Sequence, residues 1–268
     1  MIQNLTTVWK FRHFLLALVR LDLRLRYRRS ILGVGWSLLN PIAMTIVFAV
    51  VFSKILGGDN LTQYVPHLLI GLAVWGFLKE SAIAGSRAFL QSESYIRQSP
   101  LPLGIYPLRV VLGQAIHSTI AIAVAVVVTL VYQPYLTKTT DPLAIPLAIV
   151  SIIPGLILMF LVAWSAATIF AFVNVYFQDT QHLLEVAAQL LFFLTPIIYP
   201  EGKLQGKAWW WLELNPVQVI LKLIRTPLME GDPPTMGTLL AGLYLAIVMI
   251  ILAVGTATWL RKRVIFQL

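Results

Sequence analysis

Apolar residues along this chain fall into long unbroken runs, not into short alternating stripes, and the length of those runs predicts membrane-spanning helices. A helix needs about 20 apolar residues to cross the hydrocarbon of a bilayer. Six such runs are expected, over about residues 36–56, 64–84, 105–132, 143–173, 183–199 and 238–260. Pro41 should kink the first span, and Pro146 and Pro154 lie inside the fourth, whose length predicts a tilt or a bend. The core of the third, IAIAVAVVVTLV, would suit a buried strand in a soluble protein, but the whole run is too long for one. The fifth is short and ends in TPIIYP, and the sixth is expected to stop at Arg261, Lys262 and Arg263.

Three segments between or before these runs follow other patterns. Over residues 8–29, Phe11, Phe14, Leu15, Leu18, Leu21 and Leu25 recur at helical spacing, and Arg20, Arg24 and Arg28 run down another face. Asp22 stands four residues before Arg26, a spacing that allows a modest ion pair. This pattern predicts a helix lying in the membrane interface, with its arginines toward the lipid headgroups, broken by Gly33 and Gly35. Residues 86–107 are too polar to cross and predict a short helix ending at Pro100 and Pro102. From 201 to 236, apolar clusters alternate with Trp209, Trp210, Trp211 and four prolines, which predicts two short re-entrant or outer helices. The first thirty residues lack the compact apolar core and small-residue cleavage site of a signal peptide, so they are expected to remain on the protein.

Composition sharpens this picture. The 268 residues are 59% hydrophobic and 12% charged, against about 25% charged in soluble domains. The net charge of +9 sits beside apolar spans and not in a polar domain, which fits anionic membrane lipid and not nucleic acid. With the N-terminus inside, thirteen basic residues flank the spans on the inner side and six on the outer. Both termini are therefore expected to be cytoplasmic. The absence of cysteine excludes disulfides, thiol catalysis and thiolate-bound metal.

The chain also lacks the patterns of several enzyme classes. Gly202-Lys203 and Gly206-Lys207 are each followed by the wrong residue for a phosphate-binding loop. No metalloprotease, serine-hydrolase or clustered-aspartate pattern is present, and no metal site is expected. Ionisable residues inside spans default to functional suspects, and here they are Lys79, Glu80, His117, His182 and Glu185. Lys79 could simply reach the interface, and His117 could simply pack between helices. Trp36, Tyr176, Phe177, Phe192, Phe193, Tyr199 and the 209–211 tryptophans cluster near span ends. They suit an interfacial aromatic belt, or a pathway whose flat rings take the CH-rich faces of sugars.

Taken in order, YRRSILGVGWSLLNPI (27–42), NVYFQDTQHLLE (174–185), LTPIIYP (194–200) and LNPV (214–217) resemble the permease subunits of ABC polysaccharide exporters. One departure is that Gln178 precedes Asp179 where that family is expected to carry a basic residue. The resemblance implies an all-α integral membrane protein with one transmembrane domain, 1–268, of six spans in 36–260. It divides the rest into an interfacial helix (1–32), a coupling segment (86–104), an outer re-entrant segment (200–236) and a tail (261–268). It implies a homodimer in the bacterial inner membrane that exports lipid-linked polysaccharide such as O-antigen. The engine would be a separate ATP-binding subunit holding ATP and Mg, with no cofactor on this chain. Phe89, Glu93, Tyr95 and Arg97 would contact that subunit, and Arg24, Arg26, Arg28 and Arg29 would meet the substrate's lipid phosphate. Trp36, Tyr176, Phe192, Phe193, Tyr199, Trp209 and Trp210 would line or gate the pathway. Open alternatives are a permease for a drug, haem or small lipid, an ion-coupled carrier, and a membrane glycosyltransferase.

Overall fold

A computed structural model describes residues 11–28, 30, 33–55, 61–98, 101–136, 144–200 and 215–267. Among them all regular structure is helical. The helices are α1 (Arg12–Tyr27), α2 (Trp36–Ile55), α3 (Leu61–Ser86), α4 (Glu93–Gln98), α5 (Ile105–Leu136), α6 (Ala144–Tyr176), α7 (Thr180–Leu194), α8 (Pro216–Glu230) and α9 (Met236–Gln267). Four of them carry a stretch long and apolar enough to cross a membrane: Leu61–Ser86, Ile105–Tyr132, Ile149–Tyr176 and Met236–Leu260. Leu38–Phe52 and Thr180–Leu194 are shorter apolar helices.

The central core lies where α3, α6 and α8 meet, around Ile70, Val74, Phe77, Ala163, Ala167, Ile220, Leu223 and Ile224. Association of helices in lipid depends on close packing more than on apolar burial, because the lipid is itself apolar. Gly85 of α3 shows this directly: a Cβ there would stand 2.4 Å from the Cβ of Ala167 on α6. A second core closes one end of the bundle. Ala88 and Phe89 just beyond α3, Tyr106 at the start of α5, Phe172 and Val175 near the end of α6, and Val264 of α9 pack together there.

The sixth apolar run ends where expected, its membrane-length stretch being Met236–Leu260; the helix itself continues past the charged triplet to Gln267, with Val264 buried in the second core. The buried face of α1, by contrast, is rotated from the expected stripe. Leu15, Leu18 and Val19 are buried, whereas Leu21 and Leu25 are exposed. Asp22, at the next helical position of that face, is tied to α5 by Arg109.

Candidate functional site

The site is built on α1, whose second half carries Arg20, Arg24 and Arg26. Arg109 of α5 donates two hydrogen bonds, from Nε and Nη2, to the two carboxylate oxygens of Asp22 on α1. One turn further along α1, Arg26 Nη1 donates to Gln114 Oε1 at 3.2 Å. Asp22 therefore pairs with α5, and the expected Asp22–Arg26 pair within α1 does not form. The reason is geometric, since Asp22 and Arg26 share the face that Leu15 and Val19 press against Ile105 and Leu108. Arg20, Arg24 and Arg28 are exposed on the other side of the helix, and Arg29 lies outside the described residues.

Beside this contact is an open cavity of about 510 Å³ lined by residues of α1, α2, α3 and α5. Arg26, Asn40, Glu80, Gln114, His117 and Ser118 give it a polar wall, with Trp36, 55% exposed, at one side. A second cavity of about 410 Å³ lies between α2, α3 and α7. The two share Asn40, Pro41, Leu72, Gly76 and Glu80, so they adjoin along one wall of α2 and α3. The second is more aromatic. Phe192 of α7 stands 5.9 Å from Trp75 of α3 and 6.2 Å from Phe48 of α2, ring centre to ring centre. Phe193 stacks edge-on to Phe192 at 5.4 Å and is 60% exposed. Lys79 and Glu80 both face this second cavity and pair with each other at 3.2 Å.

At the end of the bundle opposite the second core, a turn after α7 is fastened from three directions. Tyr64 of α3 donates to the carbonyl of Ile198 at 2.9 Å. Asn215 donates to Thr195 Oγ1 at 2.9 Å while its own side-chain oxygen caps α8 at Val217 N. Arg225, buried on α8, donates to the carbonyls of Pro196 at 2.8 Å and His67 at 3.3 Å. The α8 helix begins with Pro216 directly after its Asn215 cap and ends at Gly231, whose φ of 80° is the left-handed geometry that glycine accommodates without a Cβ clash. Arg225 is one of the six basic residues expected on the outer side, and its helical register turns it inward between Leu221 and Leu228.

The expected site residues separate into groups. Trp36 lines the polar cavity and Phe192 the aromatic one, with Phe193 beside it. Tyr199 donates to the carbonyl of Phe193 at 3.3 Å, so it sits with them at the mouth of the fastened turn. Tyr176 is elsewhere: its hydroxyl donates to Leu260 at 3.3 Å, beside the second core at the other end. Trp209 and Trp210 lie outside the described residues. In the segment before α5, Glu93 and Arg97 pair across one turn of α4 at 2.9 Å and are open to solvent. Phe89 is fully buried, 4.8 Å from the ring of Phe172. Its side chain holds this segment to the bundle and is no part of an outward-facing surface. Tyr95 is half-buried against the same core.

Four helices long and apolar enough to cross a membrane, with polar and aromatic cavities lying between helices, are the features of an integral membrane protein. Residues 13–229 match the family of ABC-2 type transporters, and the chain belongs to that family. Its curated relatives include two proteins of Klebsiella pneumoniae named O-antigen export system permease protein RfbA. They are 26% and 24% identical over 217 and 219 residues, each match covering 81% of this chain and 80% of the relative. A Myxococcus xanthus protein of the same name is 26% identical over 209 residues, covering 78% of this chain and 76% of its own.

Proposed function

We propose that this chain is the transmembrane subunit of an ATP-driven exporter that moves a lipid-linked polysaccharide out of the cytoplasm. In this reading two copies pair and each docks a separate ATP-binding subunit. The four long helices and the shorter α2 and α7 make six crossings of the inner membrane, both termini being cytoplasmic. The α1 helix lies at the inner interface, where Arg24 and Arg28 face headgroups, and α8 is re-entrant at the outer side.

The observation that carries the reading is the adjacency of the two cavities. A polar chamber beside the arginine helix adjoins a cleft faced by Phe48, Trp75 and Phe192 along a shared wall. That order suits a cargo with an anionic lipid head followed by many sugars: arginine attracts the phosphate, and flat rings let the chain slide without a fixed hydrogen-bond pattern. The names of the relatives support the same cargo. On the cytoplasmic side the exposed Glu93–Arg97 pair and Tyr95 would meet the ATP-binding subunit, with Phe89 as their anchor.

The test is deletion of the gene in its host, followed by complementation. Deletion should leave lipid-linked polymer on the cytoplasmic face of the inner membrane, and the wild-type gene should restore export. A variant with Arg24, Arg26, Arg28 and Arg29 changed to glutamine should insert normally and fail to export. Unchanged surface polysaccharide in the deletion strain would reject the proposal.

A further inference from the structure

We infer that the polar cavity between α1, α2, α3 and α5 is a binding site for the sugar that adjoins the lipid diphosphate, which makes it a specificity site and not only an anion site. The inference rests on the exporter reading above and adds to it the part of the cargo that is recognised inside the protein.

The first observation is the chemistry of the wall. An anion site would gather cations, but this cavity holds the carboxylate of Glu80 together with Arg26. A carboxylate only accepts hydrogen bonds, and although Lys79 offsets part of the charge of Glu80, a phosphate in direct contact with that carboxylate would be repelled. Neutral hydroxyl groups would not be, since each donates one hydrogen bond and accepts others. Asn40 and Ser118 supply both donors and acceptors, and Gln114, whose oxygen already receives Arg26, has its amide N–H groups to offer. Trp36 adds a flat apolar face at the side of the cavity. Amides, a hydroxyl, a carboxylate and an indole together match a pyranose, which has a ring of hydroxyls around an apolar CH face. Arg26 is then placed to hold the adjoining phosphate at the α1 side.

The second observation is the space itself. At about 510 Å³ the cavity is within the range of roughly 300–1,000 Å³ typical of small-molecule sites, far more than a phosphate group fills. Gly76, in the middle of α3, explains how that room is kept. A Cβ built on Gly76 meets nothing within 4 Å, whereas one on Gly71 or Gly85 would run into Arg225 or Ala167. Glycine inside a helix is less favourable than alanine. At Gly71 and Gly85 close packing accounts for it; Gly76, like Gly113 and Gly255, meets no neighbour, but of these three it is Gly76 that lines both cavities, where the missing side chain leaves open volume.

The experiment measures binding to the full chain in lipid nanodiscs. The probes are undecaprenyl diphosphate alone and the same lipid carrying N-acetylglucosamine, N-acetylgalactosamine, glucose or galactose. At least one glycolipid should bind tenfold or more tightly than the bare diphosphate. Gly76→Leu, which adds a side chain where a Cβ meets no neighbour, should remove that gain, and Glu80→Gln should reduce it several-fold. Gly76→Leu should lose more affinity for the glycolipid than for the bare diphosphate, Glu80→Gln, which removes a negative charge, should not weaken the bare diphosphate, and Arg26→Gln should weaken every probe. Equal binding of all five probes, or a sugar-dependent gain that survives Gly76→Leu, would overturn the inference while leaving the exporter reading in place. Failure of all probes to bind the wild type would count against both.

Discussion

Asp22 on α1 and Arg109 on α5 share two parallel hydrogen bonds, and through them the arginine helix is tied to the membrane bundle. The arginine is nearly buried while the aspartate is open on one side, with side-chain exposures of 13% and 36%. Such a pair falls between a surface ion pair and a buried one. A coupling of about 1–3 kcal/mol is expected from a double-mutant cycle of Asp22→Ala and Arg109→Ala. Thermal unfolding in detergent measures the cycle, and additive single effects would show that the two side chains do not hold α1.

The contact between α3 and α6 allows no added atom at Gly85. Gly85→Ala places a methyl group 2.4 Å from the Cβ of Ala167 and should destabilise by about 1–3 kcal/mol. Adding Ala167→Gly should recover part of the loss, because it removes the atom that the new methyl meets. Equal melting temperatures for wild type and Gly85→Ala would mean that the helices separate at little cost.

Arg225 satisfies two carbonyls from two different elements, and a lysine cannot do so with the same fork of N–H groups. Arg225→Met should cost on the order of 1–3 kcal/mol by leaving the carbonyls of Pro196 and His67 without this donor. Arg225→Lys should fall between the two. Limited proteolysis near residues 195–200 offers a second readout, with faster cleavage expected in Arg225→Met.

The segment before α5 separates anchoring from contact. Phe89→Ala deletes a fully buried ring and should cost about 3–5 kcal/mol in stability. Arg97→Glu reverses an exposed charge and turns its pair with Glu93 into a repulsion across one helical turn, so stability should change little. Co-purification of the ATP-binding subunit should fall with Arg97→Glu at unchanged melting temperature. A normal complex in that variant would remove Arg97 from the docking surface.

Much of this architecture is written in local pattern. The bounds of α2, α5 and α6 follow their apolar runs to within a few residues, because hydrocarbon admits only backbone whose hydrogen bonds close within the segment. The helical nature of residues 12–27, the polar break before α5 and the reversal between α6 and α7 were equally legible. Each depends on neighbours in the chain, through helical periodicity, proline and the polarity of short loops.

What the sequence left open was decided by contacts between residues far apart. Asp22 had a partner at helical spacing in Arg26, yet α1 turns the two toward different residues of α5, because the burial of Leu15 and Val19 fixes its rotation. Arg225 counts in the sequence as one more outer-side charge, and the packing of α8 into the central core carries it inward. Gly71, Gly76 and Gly85 are indistinguishable in an apolar run, and the neighbouring helices alone make one a seat for an arginine, one a helix contact and one an open space. The sequence alone determined that the chain would be a set of membrane helices, since that follows from the solvent; tertiary structure determined which polar groups meet, since packing sets the rotation of each helix about its own axis.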